Sequence, residues 1–184
     1  ETSTEGACWL AKFERFVTRQ YSLQANKASD ILLYAAAVSP ALLLLDKDIR
    51  QDAPTAVLLV SESMLLDLAL TSLFKEIVRR PRPYCYNPDA PLSEKLKRDA
   101  RQSFFSGHTS FSAAATFSAA RIWSDYHSDS GWKPVVWATA AVIPATVGFL
   151  RVKAGKHYLT DVLTGFVVGG ACGLLVPHFH RQNR

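Results

Sequence analysis

The stretch R-V-K-A-G-K-H-Y-L-T-D, residues 151–161, divides two apolar runs, one ending at Leu150 and the next beginning at Val162. Read as the junction of two buried helices, it brings an arginine, a histidine and a carboxylate to one point of the fold. A helix starting near His157 carries Asp161 one turn further along the same face. That carboxylate can accept a hydrogen bond from the imidazole, fixing its tautomer and favouring its charged form. Gly155 gives the loop a residue free to take positive φ. Taken alone, a polar helix start with Asp161 facing the helix dipole explains the stretch as well. The rest of the chain has to decide.

Upstream, the pattern is helical throughout. Residues 7–21 set Leu10, Phe13, Phe16 and Val17 on one face and Lys12, Glu14, Arg15 and Arg19 elsewhere, as in an amphipathic surface helix. A second helix is expected from an N-cap at Ser29 or Asp30 to Leu45, bent or broken at Pro40. Asp52 and Pro54 open a third, about 54–80, closed by Pro81. Along it Ser63, Asp67, Thr71 and Lys75 recur every fourth residue, as an exposed edge or as a polar seam descending from a site. Leu58, Leu59, Leu65, Leu66, Leu70 and Leu73 read as its buried side.

A Pro-rich, charged connection fills 81–106, with a short helix in 92–101; a loop of this length in a compact domain is functional or disordered. The Ala- and Ser-rich helix 107–126 reads as central and closely approached, with Arg121 and Asp125 as an i,i+4 pair. Two more helices, about 133–150 and 158–176, precede a tail read as a solvated end, where His178 and His180 lack further metal ligands. No repeat and no strand-like alternation interrupts this. The expected architecture is all-α: one domain over residues 1–184, about six helices, with the site at one end of the bundle.

Composition narrows the function. At 48% hydrophobic and 20% charged residues the chain is not disordered. Its formal charge is +5, and eleven of its 21 basic residues fall in 75–82, 95–101 and 151–156. Meeting in space, these stretches make a positive funnel for an anion. The charge-free runs 31–45, 135–150 and 162–176 are each about 15 residues, short of the ~20 a bilayer requires. Glu62 and Asp67 interrupt the longer run 56–74 on different faces. The expectation is therefore a soluble, exported, periplasmic domain resting on a membrane by its first helix, with an integral protein as the alternative. The chain starts at Glu1 without a signal pattern, which reads as a mature or trimmed product. Of three cysteines, Cys172 reads as buried, while Cys8 and Cys85 are free to pair or not.

Three patches carry the chemistry. Lys75 and Arg82, seven residues apart across a helix and its exit, suit phosphate oxygens as an ammonium and a forked guanidinium. Ser106-Gly107-His108 opens a helix whose N–H groups and hydroxyl can bind an anion, with His108 as a proton donor. Arg151, His157 and Asp161 form the third. Together these motifs resemble the type 2 phosphatidic acid phosphatase superfamily, which includes bacterial non-specific acid phosphatases and vanadium haloperoxidases. Its signature runs K-x6-R-P, P-S-G-H and S-R-x5-H-x3-D. Phe105 stands here for the proline and Leu150 for the serine.

The resemblance implies a metal-independent lipid phosphatase. Lys75, Arg82, Ser106, Gly107 and Arg151 would hold the phosphoryl oxygens, and His157, oriented by Asp161, would attack phosphorus to give a phosphohistidine. His108 would protonate the leaving oxygen and then activate water. No cofactor is implied, vanadate entering only as a transition-state-like ligand. Two other readings remain open: a vanadium haloperoxidase using the same residues, and a non-enzymatic polyanion binder. No interleaved aromatics point to nucleic acid. The substrate would be a lipid phosphate or diphosphate, then a small phosphomonoester. Oligomeric state is not legible.

Overall fold

The structure is a computed structural model that describes residues 12–182. Short 3-10 turns at Lys12–Arg19 lead into α1 (Leu23–Val38), whose N-cap Ser22 accepts from Ala25 N. At Ser39-Pro40 this helix tightens into a 3-10 segment ending at Leu45, so proline modulates the helix without ending it. After the short α2 (Lys47–Gln51) comes α3 (Ala53–Val78), entered through Pro54 and ended by Arg79 in the left-handed region at φ 48°. The short α4 (Leu92–Lys95) lies in the connection to α5 (Gly107–Tyr126), followed by α6 (Lys133–Lys153) and α7 (Leu159–Gln182).

Helix α5 forms the axis, and ten of its 20 residues are buried, nearly all of them Ala, Ser or Thr. The i,i+4 glycines Gly165, Gly169 and Gly173 let α7 lie against it: a Cβ on them would approach Ser106 O to 2.6 Å, Ser110 O to 2.0 Å and Ala114 O to 2.7 Å. The expectation of a central, closely approached helix therefore holds. Of the two readings left open for the α3 stripe, the structure shows the seam, because Ser63, Asp67 and Thr71 are buried and Ser110 Oγ donates to Asp67 Oδ1.

Several expectations are corrected. Helix α1 begins at Leu23, placing Ser29 and Asp30 inside it rather than at its cap. Leu58, Leu65, Leu66 and Leu73 face outward. Glu14, expected on a solvated face, is buried. The tail is helical through Gln182, with His180 Nε2 3.5 Å from Glu62 Oε2. Cys172 is buried as expected, and the Cys8–Cys85 pairing falls outside the described residues.

The largest correction concerns the membrane. Four helical spans, Leu23–Leu45, Ala53–Tyr86, Lys133–Lys153 and Leu159–His180, are long and apolar enough to cross a bilayer. Their outer faces expose Ile31, Leu65, Val142 and Val167, each more than 60% accessible, around a small and polar interior. Water would not tolerate such a rim, whereas hydrocarbon would. These spans point to membrane association, the alternative named above. Glu62 and Asp67 do lie on different faces, but only Asp67 faces the interior, Glu62 being beside His180.

Because α7 has no space for a side chain at Gly169, Gly169→Ala is expected to destabilise the fold by about 1–3 kcal/mol. Thermal unfolding in detergent should show the loss, and Gly131→Ala, with nothing within 4 Å of the added Cβ, should leave the transition unchanged.

Candidate active site

Five helix ends converge at one end of the bundle: the starts of α1, α5 and α7 and the ends of α3 and α6. The connection 79–106 closes over them in ordered form, its two limbs joined by Arg82 N to Ala100 O at 2.8 Å and Ser103 N to Arg80 O at 2.9 Å. Gly155 adopts φ +69°, as expected, and a Cβ there would meet Gln20 O at 2.1 Å. This turn delivers His157 into the site.

His157 is buried. Its Nδ1–H donates to the Ser103 carbonyl at 2.7 Å, which leaves the Nε2 lone pair facing Arg82 NH1 at 3.1 Å. Asp161 Oδ2 lies 3.7 Å from Nδ1, outside hydrogen-bonding length. The expected direct Asp161–His157 hydrogen bond is thus replaced by one to a backbone carbonyl. Asp161 acts on the loop around it instead, accepting from Ser103 Oγ at 2.5 Å and from Tyr158 N at 3.0 Å.

Sequence reasoning missed the group that neutralises Asp161. Arg80 NH1 meets Asp161 Oδ1 at 2.7 Å, its NH2 meets Glu14 Oε2 at 2.7 Å, and its Cζ lies 4.0 Å over the Tyr158 ring. Burial alone would raise the Glu14 pKa, but hydrogen bonds from Thr160 and Arg80 outweigh it and hold the carboxylate below its usual range. The 3-10 turn at the start of the structure is thereby fastened to the site.

The three expected cations do come together. Arg82 is fixed by Asp99, through Nε to the carbonyl at 2.8 Å and NH2 to Oδ1 at 2.6 Å. Arg151 NH1 donates to Asn26 Oδ1 at 2.9 Å and Ser29 Oγ at 3.3 Å, and its buried Nε has no partner. The Lys75 ammonium stands at the head of α5, 3.3 Å from where a Cβ on Gly107 would lie, and forms no ion pair among the described residues. A Cβ on Gly107 would also come within 3.1 Å of Thr71 Cγ2, so a larger residue there would make both side chains shift. Ser106 Oγ is buried in the helix cap, accepting from Thr109 N and sharing a hydrogen with Thr109 Oγ1, while the Gly107 and His108 amides head the helix.

His108 has a partner that the motifs do not specify. Its Nε2 lies 2.8 Å from Asp30 Oδ1, and Arg151 NH1 approaches the same oxygen at 3.5 Å. Asn26 Nδ2 holds the other carboxylate oxygen at 3.3 Å. The i,i+3,i+4 set Asn26, Ser29 and Asp30 was visible in the sequence as polar residues on one helix face. It was hidden by taking the last two as a cap.

Residues 56–184 match the family model described as PAP2 superfamily. Among curated proteins, the chain is 31% identical over 128 residues to a probable diacylglycerol pyrophosphate phosphatase 1 of Schizosaccharomyces pombe, covering 57% of this chain and 46% of that protein. It is 36% identical over 118 residues to phosphatidylglycerophosphatase B of Bacillus subtilis, covering 63% and 54%. The chain spans about half the length of these curated relatives. In fold it is similar to a transmembrane PAP2-type phosphatidylglycerolphosphate phosphatase from Bacillus subtilis, with a TM-score of 0.64, 24% identity and coverage of 98% and 83%. It is likewise similar to Aquifex aeolicus LpxE, with a TM-score of 0.60, 22% identity and coverage of 91% and 93%.

Burial, then the charges of Arg82, Arg151 and Lys75, push the His157 pKa well below the usual imidazole value. The sign favours the neutral ring, so protonation of His157 is displaced to lower pH. At pH 6 an ordinary imidazole is roughly three-quarters protonated, whereas His157 should remain neutral. Imidazole nitrogen shifts across pH 5–8 will measure this, and a midpoint near 6.5 would contradict it.

Proposed function

The chain belongs to the PAP2 superfamily, and from that membership we propose that it is a membrane phosphatase acting on a lipid phosphomonoester or diphosphate at the exported surface. The observation that carries the reading is a buried imidazole whose Nε2 lone pair faces the Arg82 guanidinium, set among cations that the protein's own carboxylates leave partly unanswered among the described residues.

In this reading Lys75, Arg82 and Arg151, with the Gly107 amide, take the three non-bridging oxygens of a phosphoryl group. Ser106 acts chiefly by capping α5 so that its first amides stay directed at the anion. These donors stabilise the charge that gathers on the equatorial oxygens in the transition state. His157 Nε2 attacks phosphorus, forming an N–P bond as the ester P–O bond breaks. His108 gives its proton to the departing oxygen; burial and the Arg151 charge lower its pKa to about 4, Asp30 opposes that shift only in part, and the negative charge of the bound ester has to supply the rest. His108 then takes a proton from water as that water attacks the phosphohistidine, and the N–P bond breaks to release inorganic phosphate. Positive side chains supply the charge that metal ions supply in two-metal phosphatases, so the chemistry calls for no metal.

The substrate class rests on the similarity to a diacylglycerol pyrophosphate phosphatase and a phosphatidylglycerophosphatase, together with the membrane setting. A lipid held in the bilayer needs its headgroup presented at the end of the bundle, where these side chains lie. The exported orientation is the expectation drawn from the family resemblance, and hydrolysis of a membrane-impermeant phosphate ester by intact cells tests it.

His157→Ala should lower phosphate release by at least 10³-fold while binding of inorganic phosphate persists. His108→Ala should leave a terminally ³²P-labelled lipid phosphate trapped as protein-bound phosphohistidine. Activity of the native protein should be unchanged in EDTA. Loss of turnover in EDTA, or label on any residue other than His157, would contradict the mechanism.

A further inference from the structure

Beside the phosphoryl site lies a cleft of about 340 Å³ between the start of α1, the connection around α4 and the α6–α7 turn. Tyr21, Ser22, Asn26, Ser93, Glu94 and Lys156 line it. It touches the site at two places. Asn26 also holds Arg151 and, through Asp30, the His108 ring. Lys156 directly precedes His157, and its carbonyl accepts from Arg82 NH1 at 3.2 Å.

The charge in this cleft is unbalanced. The Lys156 ammonium rests 4.5 Å over the Tyr84 ring and forms no ion pair among the described residues. Glu94, the one carboxylate in the lining, is taken by Lys97 at 2.5 Å. Burial and the charges of Arg82 and Arg151 all disfavour the Lys156 cation, and Asp99 and Glu94 offset this only partly. An ammonium kept under such conditions, against an aromatic face and at the rim of an open cleft, is well placed to receive an anion. The motif that the chain resembles leaves the five positions between Arg151 and His157, Lys156 among them, unspecified.

We propose that the cleft is a second-anion subsite in which Lys156 binds the inner phosphoryl group of a lipid diphosphate while the terminal phosphoryl occupies the His157 site. The inference rests on the phosphatase reading above and refines its substrate. Asn26 ties the cleft to the His108 side, where the leaving oxygen departs. In the reaction the N–P bond to His157 forms as the bond between the terminal phosphorus and the bridging oxygen breaks. The electron pair stays on that oxygen, which takes the His108 proton, and Lys156 offsets the negative charge that the departing lipid monophosphate keeps. Water then cleaves the N–P bond and inorganic phosphate leaves. Lys156 thus favours diphosphates over monophosphates of the same lipid.

The test compares kcat/KM for a farnesyl diphosphate and a farnesyl monophosphate, each with native protein, Lys156→Met and Lys156→Arg in detergent micelles. Lys156→Met should lower kcat/KM for the diphosphate by roughly 10- to 100-fold, as for loss of a charged hydrogen bond. The monophosphate value should move less than threefold, and Lys156→Arg should keep most of the preference. An equal fall for both substrates, or no change for either, would overturn the subsite. A turnover-free arm separates this from the phosphatase reading: calorimetry of inorganic pyrophosphate and phosphate binding to His157→Ala with and without Lys156→Met. Loss of pyrophosphate preference on removing Lys156 supports the subsite even if the native protein hydrolyses neither lipid, a result that would instead refute the phosphatase reading. If Lys156→Met does not fold, Lys156→Gln serves in both arms.

Discussion

Positive charge gathered at the end of an apolar bundle is the constraint on which this structure turns. Lys75, Arg82 and Arg151 reach it from α3, its exit and α6, and burying such cations costs several kcal/mol each unless they are answered. The protein answers them unequally. Arg82 has Asp99, and Arg151 has Asn26 and Ser29 with Asp30 close by. Among the described residues, the Lys75 ammonium has no ion pair and the Arg151 Nε no hydrogen-bond partner. Under the proposed function a phosphoryl group would bring the acceptors that these side chains lack, and burial, then those same charges, disfavours the protonated form of His157.

Holding this arrangement requires stiffness, which comes from two sources. One is steric: the glycine face of α7 brings the Ser106 amide to the Asp161 carbonyl at 3.0 Å, joining the second and third motifs through the backbone. The other is electrostatic: Arg80 ties Asp161 to Glu14, so the segment preceding α1, the connection after α3 and the start of α7 form one unit. Asp161 consequently supports His157 by fixing Ser103, whose carbonyl orients the ring. The carboxylate acts at one remove.

The helical order, the seam on α3 and the central role of α5 were legible because periodicity and residue size report directly on packing. The convergence of Lys75, Arg82, Arg151, His108 and His157 was legible because each lies at a helix–loop junction. Charge-free runs, however, misled about the membrane. In a spanning bundle a polar residue need not end a span if it faces the interior, as Asn26, Ser29, Asp30 and Asp67 do. Taking Ser29 or Asp30 as the cap shortened α1 by its functional turn. The Asp30–His108 and Arg80–Asp161 pairs, 78 and 81 residues apart, are set by tertiary packing that no local pattern encodes.

The most direct measurement is the thermal stability of the detergent-solubilised protein titrated with orthovanadate or phosphate in EDTA, beside Lys75→Met and Arg151→Met. An anion site assembled from these distant stretches predicts a saturable rise in melting temperature for the native protein, about 2.7 kcal/mol of stabilisation at a hundredfold excess over Kd, and its loss in both variants. A melting temperature indifferent to either anion at saturating concentration would contradict the account.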